Sequence, residues 1–224
     1  MQKSPPPPSA RATADQLSDL LDGYREFLLK DYVVEAARYR SLALLGQTPR
    51  TLVIACSDSR VDPSRIFNAR PGELFIVRNV ANLVPPFEEH GDYHGTSAAI
   101  EFAVTSLHVE RILVLGHARC GGINAFLSRA NTTAPPRSFV EKWISLLEPA
   151  YAAAVLNGAP IEPAARERWM EQVAIMQSLR NLTTFPFVRD ATQNGSLELF
   201  GGIFDISTGS LQLLDRESKE FVAV

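Results

Sequence analysis

Leu52-Val53-Ile54-Ala55-Cys56-Ser57-Asp58-Ser59-Arg60 decides the fold of this chain. The run Leu52–Cys56 is apolar, β-branched and too short for a helix, and it passes at once into polar side chains. It predicts a buried strand that ends in a loop. Ile112-Leu113-Val114-Leu115-Gly116-His117-Ala118-Arg119-Cys120-Gly121-Gly122 repeats the design, with a strand expected over Ile112–Gly116. Between them, Leu74–Arg78 follows the turn signal Pro71-Gly72 and predicts another strand. Thr96–Leu107 places Ala98, Ala99, Phe102, Ala103 and Leu107 at helical spacing. Strand, helix and strand in alternation argue for a parallel sheet.

Further out, Gly121–Arg129, Ser138–Leu156 and Glu162–Leu182 predict helices, and Leu199–Ile206 with Leu211–Leu214 an antiparallel hairpin closed by Thr208-Gly209-Ser210. Leu17 to Leu44 carries apolar residues at three- and four-residue spacing, which predicts one or two amphipathic helices. Pro5–Pro8 favours an extended, solvated arm. The expected fold class is α/β: a central mostly parallel sheet with an antiparallel edge strand, flanked by helices, with an amino-terminal helical extension. Residues 1–14 are expected to form a disordered arm and residues 15–224 a single α/β domain.

With 224 residues, 46% hydrophobic and 21% charged, the chain has enough apolar material for one folded core. The 22 basic and 25 acidic residues leave a net charge of −3, which offers a polyanion no attraction, so no nucleic-acid partner is expected. No apolar run approaches the roughly 20 residues of a membrane-spanning helix, and no membrane partner is expected. The first residues lack the apolar segment of a secretory signal. The only cysteines are Cys56 and Cys120, too few for a disulfide scaffold, so a reducing, cytoplasmic setting is expected.

Both cysteines stand where a predicted strand ends. In open α/β sheets the loops at the carboxyl ends of parallel strands converge on one crevice, so Cys56, His117 and Cys120 can face a common point. Two thiolates and an imidazole are a ligand set for zinc, and three protein ligands leave one tetrahedral position for water, as in hydrolytic or hydrating sites. A free cysteine is more often a small buried apolar residue, and Asp-x-Arg in a turn is more often a surface ion pair. The residues alone leave both readings standing.

The two loops resemble those of the β-class carbonic anhydrases, and the likeness continues through Pro71-Gly72-Glu73-Leu74-Phe75, Arg78-Asn79-Val80-Ala81-Asn82, Gly95-Thr96 and Ala98-Ala99-Ile100-Glu101. It spans roughly residues 25 to 215. The resemblance implies that Cys56, His117 and Cys120 bind one zinc ion per subunit, and that Asp58 and Arg60 form the family's catalytic pair. The implied reaction is the reversible hydration of carbon dioxide to bicarbonate, carried out by a homodimer or a higher even-numbered homo-oligomer. Its implied substrate pocket takes Gln47, Phe75 and Phe102, with Gly121 beside the metal; Phe102 stands where plant-like members carry tyrosine.

Some bacterial members close the site by swinging the aspartate onto zinc and use a tryptophan three residues before the first cysteine. Val53 occupies that position here, and although Arg78 matches the arginine of the same side pocket, an open site is expected. His90 and His94 suggest a proton shuttle, but a solvated polar loop explains them as simply. Trp143 and Trp169 fit helix packing. Two other functions remain to be weighed: a carbon disulfide or carbonyl sulfide hydrolase on the same scaffold, and a noncatalytic zinc-binding or redox-sensing protein.

Overall fold

Leu52, Val53, Ile54 and Ala55 are all buried because their strand lies in the middle of a sheet covered on both faces. The computed structural model describes residues 16–90, 94–130, 132, 134–156 and 158–224. Strand β1 (Thr51–Cys56) pairs in parallel with β2 (Leu74–Asn79) on one side and with β3 (Arg111–His117) on the other. β3 continues in parallel to β4 (Glu198–Phe204), and β5 (Leu211–Leu214) and β6 (Phe221–Ala223) add antiparallel. The six-stranded order is β2-β1-β3-β4-β5-β6. The mostly parallel sheet with an antiparallel edge is therefore as expected, except that the edge holds two strands.

The chain runs from β1 outward to β2 and then returns to place β3 on the opposite side of β1, so the direction of winding reverses at β1. Ligand crevices of open α/β sheets form at the carboxyl ends of such strands. Ala55 pairs with Leu115, so Cys56 and His117 leave adjacent strands at the same edge.

The described residues form two compact units, one ending at Gln47 and one comprising residues 48–224. In the first, α1 (Ser18–Phe27) leads through a π-helical stretch (Leu28–Tyr32) into α2 (Val33–Leu45). Phe27, Tyr32 and Tyr39 pack their rings together there, while Leu20, Leu29, Val33 and Val34 are exposed. The proline arm lies outside the described residues.

In the second unit, α3 (Pro63–Ile66) follows β1 and is capped by Asp62, whose carboxylate accepts from Ser64 N at 2.8 Å. The helix expected over Thr96–Leu107 consists of α4 (Gly95–Glu101) and a wider π turn (Phe102–Ser106). After β3 come α5 (Gly121–Arg129), α6 (Phe139–Ile144), α7 (Glu148–Leu156), α8 (Pro163–Leu182) and α9 (Pro186–Gln193). The single helix expected over Ser138–Leu156 is thus broken by a 3-10 turn at Ser145–Leu147. α9 and β6 carry too short a pattern to be read in advance. The strand expected to reach Ile206 stops at Phe204, because the Asp205 carboxylate accepts from Ser207 N at 2.8 Å and turns the chain.

Alternation along β1 divides the core. Leu52 and Ile54 join Ile100, Ile112, Val114, Ile175, Leu182, Phe185 and Val188 on one face, while Val53 and Ala55 join Leu115 on the other. A further apolar cluster gathers Cys56, Cys120, Ile123, Phe126, Ile144, Leu147 and Met170 above the strand ends. Trp143 and Trp169 pack against it, as expected. Among the described residues no helix is long and apolar enough to cross a membrane.

Candidate metal centre

Cys56 ends β1, His117 ends β3, and Cys120 is the residue before the first turn of α5. Their ligand atoms lie within 4.8 Å of one another, and all three side chains are buried. The two sulfurs stand 3.9 Å apart. Two thiolates on one tetrahedral zinc at bonds of about 2.3 Å would sit about 3.8 Å apart, so the pair already has the spacing a metal needs.

The imidazole is fixed in the state a metal requires. His117 Nδ1–H donates to Ala118 O at 2.9 Å, which leaves the lone pair on Nε2. Nε2 is buried and has no hydrogen-bond partner among the described residues. A buried polar atom without a partner carries a desolvation penalty, and a cation facing the two sulfurs removes it. The residues therefore fit a zinc ion.

Electrostatics agree. The contact between the two sulfurs, with His117, outweighs burial and lowers the Cys56 thiol, while Cys120 is raised by the same contact and by its own burial. A cation bound between them would take both sulfurs as thiolates. Burial works against charge on His117, but its contacts with Cys56, Ala118 and Asp58 carry its pKa upward.

Asp58 and Arg60 meet as the resemblance implied. Arg60 Nε and Nη2 donate to Asp58 Oδ1 and Oδ2 at 2.9 and 2.7 Å, a two-point pair, and Arg60 N also donates to Oδ1 at 3.0 Å. The guanidinium holds the Asp58 carboxyl well below the usual carboxylate range, against partial burial. Asp58 Oδ2 lies 3.8 Å from His117 Nε2, while both its oxygens remain engaged by Arg60. Arg60 Nη2 reaches further, to Arg119 O at 3.1 Å.

The pocket residues are placed unequally. The Phe75 and Phe102 rings lie 5.8 Å apart, with Phe102 about half exposed. Gly121 is exposed, and a Cβ there would meet nothing within 4 Å among the described residues. Close approach is required instead at Gly122, where a Cβ would fall 2.8 Å from Val80 Cγ1 and 2.9 Å from Ala81 Cβ. Gln47 is exposed and closes the amino-terminal unit. His94 Nε2 lies 3.8 Å from Glu88 Oε2, whereas residues 91–93 of that loop lie outside the described residues.

Three residues shape the centre without having been given these tasks by the sequence. Arg78, on β2, donates to the carbonyls of Cys56, Asp58 and Val61 at 2.8, 2.7 and 2.7 Å, so it holds the first loop by its backbone. Asn79 bridges both backbone groups of Leu83 at 2.8 Å and reaches Thr96 Oγ1 at 3.2 Å, bracing a turn in which Ala81 and Asn82 are left-handed. Glu171 on α8 accepts the Cys120 N–H at 3.2 Å. Its signal in the sequence is an acid among the buried positions Met170, Val173, Ala174 and Ile175.

Residues 51–211 match the family model described as "Carbonic anhydrase". The chain is 37% identical over 206 residues to beta carbonic anhydrase 3 of Arabidopsis thaliana, covering 92% of this chain and 79% of that one. Its fold matches the β-carbonic anhydrase CcaA with a TM-score of 0.86 at 30% identity, over 94% of this chain and 92% of that one. It matches a tetrameric β-carbonic anhydrase of the ascomycete Sordaria macrospora with a TM-score of 0.76 at 28% identity, over 89% and 97%. With its zinc-like donor set and the fold that carries it, the chain belongs to the β-class carbonic anhydrases, lyases that interconvert carbon dioxide and bicarbonate.

Proposed function

We propose that Cys56, His117 and Cys120 hold one zinc ion per subunit and that Asp58 and Arg60 are the residues that serve the hydration of carbon dioxide beside it. The observation that carries this is the convergence of two thiols on a buried His117 Nε2 that has no hydrogen-bond partner among the described residues. A zinc ion held there supplies the Lewis acidity that brings the ionisation of water down to about neutral pH.

Around that chemistry the chain's residues have separate tasks. Two thiolates and a neutral imidazole balance a +2 charge, so the site itself adds little pull on the proton of water. Asp58 compensates by offering Oδ2 as an acceptor, which orients the reacting oxygen and takes its hydrogen bond. Arg60 keeps that carboxylate ionised and occupies both its oxygens, which restrains it from turning onto the metal and keeps the site open. The Phe75 and Phe102 rings pack together at the level of Leu52, at the far end of β1 from Cys56, and we assign them to the substrate pocket on the family resemblance; Gly121, next to Cys120, presents no side chain there.

The chain assembles as a dimer or a larger even-numbered homo-oligomer in this reading. The tetrameric relatives support it, as do the exposed Phe102 and the exposed apolar residues of α1 and α2. Reduced thiols are a condition of metal binding, which supports a reducing compartment such as the cytoplasm. Fractionation of cells expressing the chain with its native start tests the compartment.

Stopped-flow hydration of carbon dioxide with metal quantification tests the main proposal, with carbonyl sulfide and carbon disulfide assayed in parallel. Stoichiometric zinc, rapid hydration and no hydrolysis of the sulfur gases are expected. Protein purified under reducing conditions that takes up no zinc, or that hydrates carbon dioxide no faster than buffer, overturns it.

A further inference from the structure

Glu171 is the only carboxylate residue buried among the described residues, 3% exposed, and it faces a backbone amide of the metal loop. The amide belongs to Cys120, and the carbonyl of the same peptide unit is Arg119 O. That carbonyl accepts from Arg60 Nη2 at 3.1 Å, and the same nitrogen donates to Asp58 Oδ2 at 2.7 Å. One peptide plane is therefore gripped at both ends, by Glu171 Oε1 on its N–H and by Arg60 on its C=O. A continuous hydrogen-bonded path runs from Asp58 through Arg60 and this peptide to Glu171.

The grip is needed where it falls. Arg119 has a φ of 57°, a left-handed conformation that a residue with a side chain holds only when its surroundings impose it. The surroundings come from one face of α8. Glu167 accepts from Asn124 Nδ2 at 2.7 Å, Glu171 takes the Cys120 amide, Ile175 lies against Gly116, and Ser178 Oγ donates to Asn82 O at 3.2 Å. Residues at these intervals line one side of a helix, so α8 meets the start of α5, the Cys120 loop, the end of β3 and the 80–82 turn in succession.

We propose that Glu171 is a positioning residue for the metal centre: its carboxylate clamps the 119–120 peptide and so presents the Cys120 sulfur and the Arg60 guanidinium in one arrangement. This rests on the reading that Cys56, His117 and Cys120 hold the metal. Outer partners of this kind set the orientation of a ligand, and losing one weakens metal binding by about 10–100-fold.

Two variants of the full chain separate the acceptor from the volume. Glu171→Gln retains an oxygen for the Cys120 amide, and Glu171→Met fills the space without one. Metal-free protein is titrated with zinc against a chromophoric chelator and with cobalt(II), whose thiolate charge-transfer band reports sulfur ligation. The Met variant is expected to bind zinc about 10–100-fold more weakly with an altered cobalt band, and the Gln variant to recover most of the loss. Wild-type protein that binds neither metal overturns the centre itself. A wild type that binds, with a Met variant equal to it in affinity and band, overturns the clamp alone; so does a Gln variant as weak as Met. Should the Met variant not fold, hydrogen exchange at the Cys120 amide decides: protection in wild type and Gln supports the clamp, and rapid exchange in either overturns it.

Discussion

His117 brings a buried lone pair to the same point as two sulfurs, and what each ligand residue contributes follows from its atoms. Cys56→Ser and Cys120→Ser replace a soft thiolate with a hydroxyl that ionises far above neutral pH, and His117→Ala removes the imidazole. Each is expected to abolish stoichiometric zinc and with it hydration, measured by elemental analysis and stopped flow on the same sample. Asp58→Asn differs in kind. The amide keeps one acceptor oxygen but turns an –NH2 toward Arg60 or toward the site, so the two-point pair is lost while the ligands are untouched. The expectation is full zinc content with hydration slowed at least about 100-fold. A variant that lost zinc together with activity would show Asp58 to be needed for metal retention instead.

Between residues and the whole fold, helix α5 and the Cys56 loop are set by contacts at their ends. Gly122 allows α5 to start against Ala81, whose Cβ is attached to backbone and has no rotamer by which to withdraw. Gly122→Ala is expected to destabilise the protein by about 1–3 kcal/mol in urea denaturation and to weaken zinc binding, because the start of α5 carries Cys120 with it. Arg78 acts on the opposite loop through three carbonyls. Arg78→Met keeps the stem and removes every donor, and about 2–4 kcal/mol of stability is expected to go with them, read by the same denaturation. The partners lie on residues 56, 58 and 61, so the loss should also loosen Asp58, seen as slower hydration at full zinc occupancy.

At the scale of the molecule, a metal held at the proposed centre would tie together strands that are adjacent in the sheet but 61 residues apart in the chain, counting Cys56 to His117. A cation that binds only the folded state stabilises it by about 2.7 kcal/mol when present at one hundred times its Kd. For a domain of this size, that predicts a fall in Tm of about 5–10 °C when zinc is stripped by chelator, reversed on adding zinc back. Differential scanning calorimetry on stripped and reloaded protein checks it; equal Tm values would show that the site contributes nothing to folding.

The continuous apolar runs of β1 and β3, the polar loop after each, and the cysteines placed at or just past the strand ends were all legible along the chain, because a central parallel strand must be apolar on both faces and that demand is written in consecutive residues. The hairpin turn at Thr208-Gly209-Ser210 was legible for the same local reason. The 3-10 break within residues 138–156, the π turn at Phe102 and the left-handed Arg119 were not, since each answers to neighbours distant in sequence. So too with the centre: the donor atoms are named by the two motifs, but the gripping of one peptide by Arg60 and Glu171 exists only once α8 has packed beneath β3. Hydrophobic periodicity is a local record of burial, whereas a hydrogen bond between residues 120 and 171 depends on where folding brings their backbones, and that is decided by the packed structure alone.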